Sequence, residues 1–257
     1  MKIKEIKCKT ALSKSNLPGL DYSLNPYRGC QHNCAYCYVP NVLKINREEW
    51  GSFVDVKTNI PNMLAKELKK KKFGVIGIST VTDPYQPIEK KYKLTRYCLE
   101  QLLIHDWPIC IQTKSNLIVR DIDLISKFSD VEVMVSIGTL NDEERKMLEP
   151  QSSSINDRLD ALKQFSNIGI KTGIFFGPVY PTIKKEDIPK IIDTFAESGA
   201  KEIMVDKFNL KPGILENVEK NNPYFKRLIE SNQKYKYFLS KIQDISNNKG
   251  IKTSLAF

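Results

Sequence analysis

At 257 residues, with 41% hydrophobic and 27% charged positions, the chain can bury a large core and has the balance of an ordinary globular protein. No apolar run approaches the roughly 20 residues that span a bilayer, and the basic start MKIKEIKCKTALSKS has no signal-peptide-like apolar stretch, so a cytoplasmic address and no membrane partner are expected. The formal net charge of +10 raises nucleic acid as a partner, although lysines outnumber arginines and scatter along helix faces, as at Lys69 to Lys72, Lys90, Lys91 and Lys93.

Residues 1–20 read as a polar, basic lead-in that ends at the Pro18-Gly19 turn. DYSLNPY (21–27) alternates and predicts a first strand running into a cysteine loop, while 41–57 reads as irregular. A helix is predicted from about Thr58, with Pro61 in its first turn and Ile60, Leu64 and Leu68 on one face. GVIGIST (74–80) predicts a buried strand, followed by the loop VTDPYQPIE and a helix over 92–104. The alternation continues with strand 108–114, short helix 120–128, strand 131–139, helix 155–168, strand 169–178, helix 187–198 and strand 200–210. A last helix is expected over about 222–247, and IKTSLAF reads as a closing strand.

Six strands, each followed by a helix, imply a parallel sheet with right-handed crossovers, closing as a doubly wound sheet or an incomplete barrel. No G-x-G-x-x-G follows the first strand, which weakens dinucleotide binding. One domain over 1–257 is expected, with the core at about 20–210 and the C-terminal helix and strand at 211–257. The unusual polar residues fall at strand ends, where barrels keep their chemistry.

Asn25 to Pro40 reads NPYRGCQHNCAYCYVP and places Cys30, Cys34 and Cys37 in the spacing C-x3-C-x2-C. Clustered thiols in a reducing compartment more often hold a soft metal than a disulfide. A zinc site would need His32 as fourth ligand, at a spacing that lacks the usual pairs. An electron-transfer cluster would want a fourth cysteine, and Cys8, Cys98 and Cys110 lie far off in sequence, the latter two inside a predicted helix and strand. A cluster held by three cysteines would keep one iron open for chemistry.

That spacing, with an aromatic residue just before the last cysteine, resembles the signature of the radical S-adenosylmethionine (SAM) superfamily. The resemblance implies an incomplete (β/α)6 TIM-type barrel, a [4Fe-4S] cluster on the three cysteines, and SAM on the fourth iron. It further implies reductive cleavage of SAM to a 5′-deoxyadenosyl radical that abstracts hydrogen from a substrate. Electrons would come from a low-potential flavodoxin- or ferredoxin-like donor. LNPYRGCQHNCAYCY, TDPYQPIE, QTKS, RDIDL, VSIGT, EP followed by RLDAL, and GI-x-TG-x4-P are similar to the spore photoproduct lyase-like family, a repair photolyase-like group acting on DNA. By that likeness Tyr36 and Tyr38 flank the cluster and SAM, Thr82 and Asp83 touch the cofactor, Lys114 and Ser136 bind SAM, and Arg158 meets its carboxylate. The bland alternatives are a solvated Lys114, turn roles for Ser136 and Asp83, and a surface pair of Arg158 with Asp157. Family lyases carry a cysteine near the second strand end that returns hydrogen to the product. GISTVTDPYQ has none, so Tyr85 or Tyr180 is the candidate donor, and a peptide, protein or small-metabolite substrate competes with nucleic acid. The non-enzymatic alternative is a zinc-bearing nucleic-acid binder.

Overall fold

The structure, a computed structural model, describes residues 1–208, 211–225 and 235–256. Strands β1 (Lys2–Ile6), β2 (Leu12–Lys14), β3 (Tyr22–Leu24) and β4 (Tyr27–Arg28) precede the cysteine loop; helix α1 (Val39–Leu43) and β5 (Phe53–Lys57) follow it. Then come α2 (Ile60–Leu68), β6 (Ile76–Ile78), α3 (Glu89–Tyr92), α4 (Leu94–Leu103), β7 (Ile109–Thr113), α5 (Ile122–Ile125) and β8 (Val131–Ser136). The chain continues with α6 (Asp142–Leu148), α7 (Ile155–Asn167), β9 (Lys171–Phe176), α8 (Ile188–Glu197), β10 (Glu202–Val205), α9 (Ile214–Asn221), α10 (Tyr235–Asn248) and β11 (Lys252–Leu255).

Eight strands form one sheet in the order β11-β10-β9-β8-β7-β6-β3-β2, all parallel except β2 against β3. A doubly wound sheet reverses its strand order partway; this one runs in a single direction from β3 to β11. Right-handed crossovers then put every helix on the same face, which is the incomplete barrel. Its inner strands are buried on both sides, as at β6, where Ile76, Gly77 and Ile78 are all inaccessible. Helix α2 buries Ile60, Leu64 and Leu68 as its four-residue spacing dictates, with Pro61 in its first turn. Cys98 is buried in α4 and behaves as a small apolar residue.

Several expectations are corrected. DYSLNPY is not one strand: it breaks at Asn25-Pro26, so β3 joins the barrel while β4 pairs with β5 in a separate sheet of order β1-β5-β4. Residues 1–20 and 41–57 were expected without strands, yet they hold β1, β2 and β5. In β5 the alternation is plain, with Val54 and Val56 buried between half-buried neighbours. Helix α6 was not foreseen, although Asn141 caps it by accepting from the Glu143 and Glu144 amides. Part of the helix expected at 222–247, and of the strand expected at 200–210, lies outside the described residues.

Candidate active site

The cysteine loop leaves β4 through Gly29, whose φ is +88° and whose Cβ, were there one, would sit 2.4 Å from the Phe53 carbonyl oxygen of β5. Only glycine fits there. The loop is then fastened along its backbone. The Gly29 carbonyl accepts from Thr82 Oγ1 at 2.7 Å and from Gln86 Nε2 at 3.2 Å, while the Gln31 N–H donates to Gln86 Oε1 at 2.9 Å. Ala35 N–H donates to the Leu148 carbonyl at 2.8 Å, and Asn217 Nδ2 to the Ala35 carbonyl at 2.8 Å. Arg47 Nη1 donates to the Cys37 carbonyl at 2.9 Å. Four separate segments therefore set the loop's shape before any ligand is considered.

Cys30 and Cys34 are each 8% exposed and Cys37 is half-buried; all three are free thiols. Burial, with Asp83 adding, pushes the Cys30 thiol up to about 12. Burial also raises Cys34 and Cys37, and in both the Lys114 cation opposes the rise. Three thiols held neutral in a dry loop are a soft donor set that loses its protons to a metal centre. Among the described residues, no three His, Cys, Asp or Glu side chains converge on a point that could hold a single metal ion. His32 is turned instead toward Asp83, its Nδ1 3.3 Å from Oδ2. The zinc reading thus lacks its fourth ligand.

The strand ends face this loop. Asp83, expected as a cofactor contact, has both oxygens engaged by protein groups. Oδ1 accepts from Thr113 Oγ1 at 2.7 Å and the Tyr85 N–H at 2.9 Å, and Oδ2 accepts from the Lys114 N–H at 2.8 Å. Burial would raise its pKa, but His32, Thr113 and the Lys114 amide outweigh burial and hold the carboxylate far down. Asp83 ties the end of β6 to the end of β7. Thr82 likewise spends its hydroxyl on Gly29 and accepts from Gln86 Nε2 at 2.9 Å.

Arg158 is neither a surface residue nor paired with Asp157. It is fully buried and spends its guanidinium on Glu149 Oε2 at 2.5 Å, the Ser136 carbonyl at 2.6 Å, the Ser153 carbonyl at 3.0 Å and Ser152 Oγ. Glu149 also accepts from the Tyr36 hydroxyl. Burial raises the Glu149 pKa, yet Arg158 and Lys114 outweigh it, so the carboxylate stays charged. Sequence reasoning passed over Glu149; the signal was the EP that precedes RLDAL.

Lys114 extends from the end of β7, its Nζ 5.8 Å from the Tyr36 ring centre, with no hydrogen bond or ion pair to a described residue. Burial lowers its pKa, but Cys34 and Glu149 more than offset that, so it remains an ammonium. Ser136 is buried at the end of β8, accepting from Gln112 Nε2 at 3.1 Å with its own proton unspent. Tyr38 is partly exposed, at 44%, and donates to the Thr80 carbonyl at 2.8 Å. The two tyrosines expected as hydrogen donors part company. Tyr180 stacks edge-on to Tyr36 at 6.2 Å, its buried hydroxyl unpartnered. Tyr85 instead faces the ionic group of Glu89, Arg120 and Asp121.

Soft donors at the carboxyl-end mouth of a parallel α/β barrel define an iron–sulfur enzyme of barrel type. The family model described as the Radical SAM superfamily matches residues 24–195, and the chain belongs to that superfamily. An uncharacterized protein of Methanocaldococcus jannaschii is 40% identical over 184 residues, covering 71% of this chain and 70% of its own length. A radical SAM Nalpha-GlyT isomerase of Pseudomonas phage M6 is 27% identical over 202 residues, 76% of this chain and 42% of that protein. Among solved structures, a spore photoproduct lyase variant with bound AdoMet and dinucleoside spore photoproduct superposes with a TM-score of 0.72 at 16% identity, covering 99% of this chain and 81% of the other. The protein is an enzyme whose cofactors are a [4Fe-4S] cluster and SAM. Among the described residues, no helix is long and apolar enough to cross a membrane.

Proposed function

We propose that Cys30, Cys34 and Cys37 hold the cluster, that SAM lies between the cysteine loop and the ends of β7 and β8, and that the substrate is a nucleic acid. The cofactors supply, when bound, a 5′-deoxyadenosyl radical able to abstract hydrogen. The observation that carries the reading is the thiol loop clamped at the barrel mouth beside a charged lysine whose Nζ has no hydrogen bond or ion pair among the described residues. Lys114 binds the carboxylate of SAM, because its ammonium is unspent while Arg158 is saturated. Ser136 donates its free hydroxyl proton to the cofactor, and Tyr36, fixed by Glu149, walls the site. Tyr180 is the better placed hydrogen donor, standing beside Tyr36 with an unpartnered hydroxyl. The likeness to a spore photoproduct lyase structure that holds a dinucleoside spore photoproduct, and the net charge of +10, support a nucleic-acid substrate. The absence of a cysteine at the end of β6 favours a chemistry other than that lyase's own repair cycle. Six free thiols fit a reducing cytoplasm, where a low-potential flavodoxin- or ferredoxin-like protein supplies the electron.

Anaerobic reconstitution should give a brown protein with about four irons per chain that releases 5′-deoxyadenosine under a strong reductant. Affinity for a short DNA or RNA should fall steeply between low and moderate salt. A protein that makes 5′-deoxyadenosine but binds no nucleic acid in low salt would transfer the reading to a peptide or metabolite.

A further inference from the structure

Beside the cysteine loop lies a cavity of about 140 Å³ that no step above uses. Its floor is His32, Tyr85 and Ser115, all buried; its rim is Lys90, Asn116 and Gln151, all exposed. No aspartate or glutamate lines it. Asn116 accepts at Oδ1 from Ser153 Oγ at 3.0 Å, which leaves its amide N–H groups turned to no described residue. The Lys90 ammonium pairs with no carboxylate among the described residues. The Tyr85 hydroxyl is wholly buried and makes no hydrogen bond, although Asp121 stands near enough to push its pKa up after burial has done most of it.

A polar hollow with one uncompensated cation, several spare donors and no acid is complementary to an oxyanion. Its volume is about that of four or five liquid waters at roughly 30 Å³ each, enough for a phosphate group with a water beside it. We infer that this hollow is a subsite for a phosphate group, held by Lys90 and Asn116. Resting on the nucleic-acid reading, the source is a backbone phosphate of the substrate; the other source is free phosphate. Because His32 belongs to both the hollow and the cysteine loop, a phosphate seated here would lie beside the cofactor-bearing loop.

The test uses the reconstituted protein. Inorganic phosphate is titrated by calorimetry into wild type, Lys90→Gln and Asn116→Asp, with Lys91→Gln as a control because Lys91 is exposed, lies outside the hollow and sits over the Tyr92 ring at 5.1 Å. Wild type and Lys91→Gln should bind alike, and the two rim variants about tenfold more weakly or not at all. A labelled oligothymidylate is then followed by anisotropy. Lys90→Gln should weaken it and lower its salt slope by about one, and phosphate should compete. Phosphate binding unchanged in both rim variants, or weakened equally by Lys91→Gln, overturns the subsite. Lys90-dependent phosphate binding with an oligonucleotide indifferent to Lys90 upholds the subsite for free phosphate and removes its support from the nucleic-acid reading. Oligonucleotide binding without any phosphate site does the reverse.

Discussion

Gln86 is the residue on which the loop's shape most depends, and leucine is the informative replacement because it keeps the volume and deletes the amide. Gln86 is wholly buried and makes three contacts: Nε2 to the Gly29 carbonyl at 3.2 Å, Nε2 to Thr82 Oγ1 at 2.9 Å, and Oε1 from the Gln31 N–H at 2.9 Å. Gly29 keeps its bond from Thr82, so the main loss is the Gln31 amide, left partly buried and unpaired. At about 1 kcal/mol for each net bond, and about 1–3 kcal/mol for an orphaned buried donor, the variant should lose roughly 2–4 kcal/mol. That is below the 5–15 kcal/mol typical of a domain, so the chain should still fold while the loop opens more readily. Urea unfolding of the cluster-free protein reads the stability, and bleaching of the iron–sulfur absorbance under a chelator reads the loop. Gln86→Leu should bleach many times faster than wild type. Gln86→Glu, which keeps the acceptor for Gln31 but turns a carboxylate oxygen toward Gly29, should fall between. A Gln86→Leu protein with wild-type iron content and wild-type bleaching would refute the clamp.

Alanine at Cys30, Cys34 or Cys37 should each abolish cluster binding, read as iron per chain, and 5′-deoxyadenosine release with it. Lys114→Met should leave iron content unchanged and weaken SAM binding about tenfold or more, the worth of a charge-assisted hydrogen bond, with Lys114→Arg recovering part; equal SAM affinity in all three proteins would exclude the contact. Glu149→Gln should cost about 3–5 kcal/mol by stranding Arg158, while adding Arg158→Met should cost less than the sum of the singles, and strict additivity in urea would show that the pair is not coupled. Arg145 holds Asp142 below the ordinary carboxylate range, with the Ile155 N–H adding to it. That contribution is present above the unfolded value near about pH 4 and is lost as pH falls through the lowered folded value. Asp142→Asn should therefore flatten the acid limb of the stability profile, and an unchanged limb would exclude it.

The parallel barrel was legible because its strands are short apolar runs and its helices carry four-residue apolar spacing, signals that need no partner to be read. The cysteine loop stood out for a similar reason: Cys30, Cys34 and Cys37 are local in sequence. The small sheet was not. β1 exposes nearly every side chain, so it has no apolar face to advertise, and its pairing with β5 is visible only once the chain has folded. Asp83, after a strand end, and Arg158, in the first turns of a helix, were readable as polar residues but not as spent ones. Whether a carboxylate or guanidinium is free depends on partners such as Thr113, Glu149 and Ser153, some brought in from distant elements. Glu149 lies 113 residues from Tyr36, and nothing in either local sequence announces the bond.

Those buried partners also separate the two cations that could be proposed for the cofactor. For Arg158 to meet a carboxylate from outside, it would first have to leave Glu149, a fully buried acid that also holds Tyr36. Breaking such a pair costs about 3–5 kcal/mol, which at 1.4 kcal/mol per tenfold is roughly two to four powers of ten in affinity. Lys114 has no such tie to break among the described residues, and its charge is already stabilised by the same Glu149. The proposed carboxylate contact therefore falls to Lys114, with Arg158 acting one step behind as the counter-ion that keeps Glu149 ionised and Tyr36 in place. The two roles separate experimentally: loss of Lys114 should move SAM affinity at constant fold stability, and loss of Arg158 should move fold stability first.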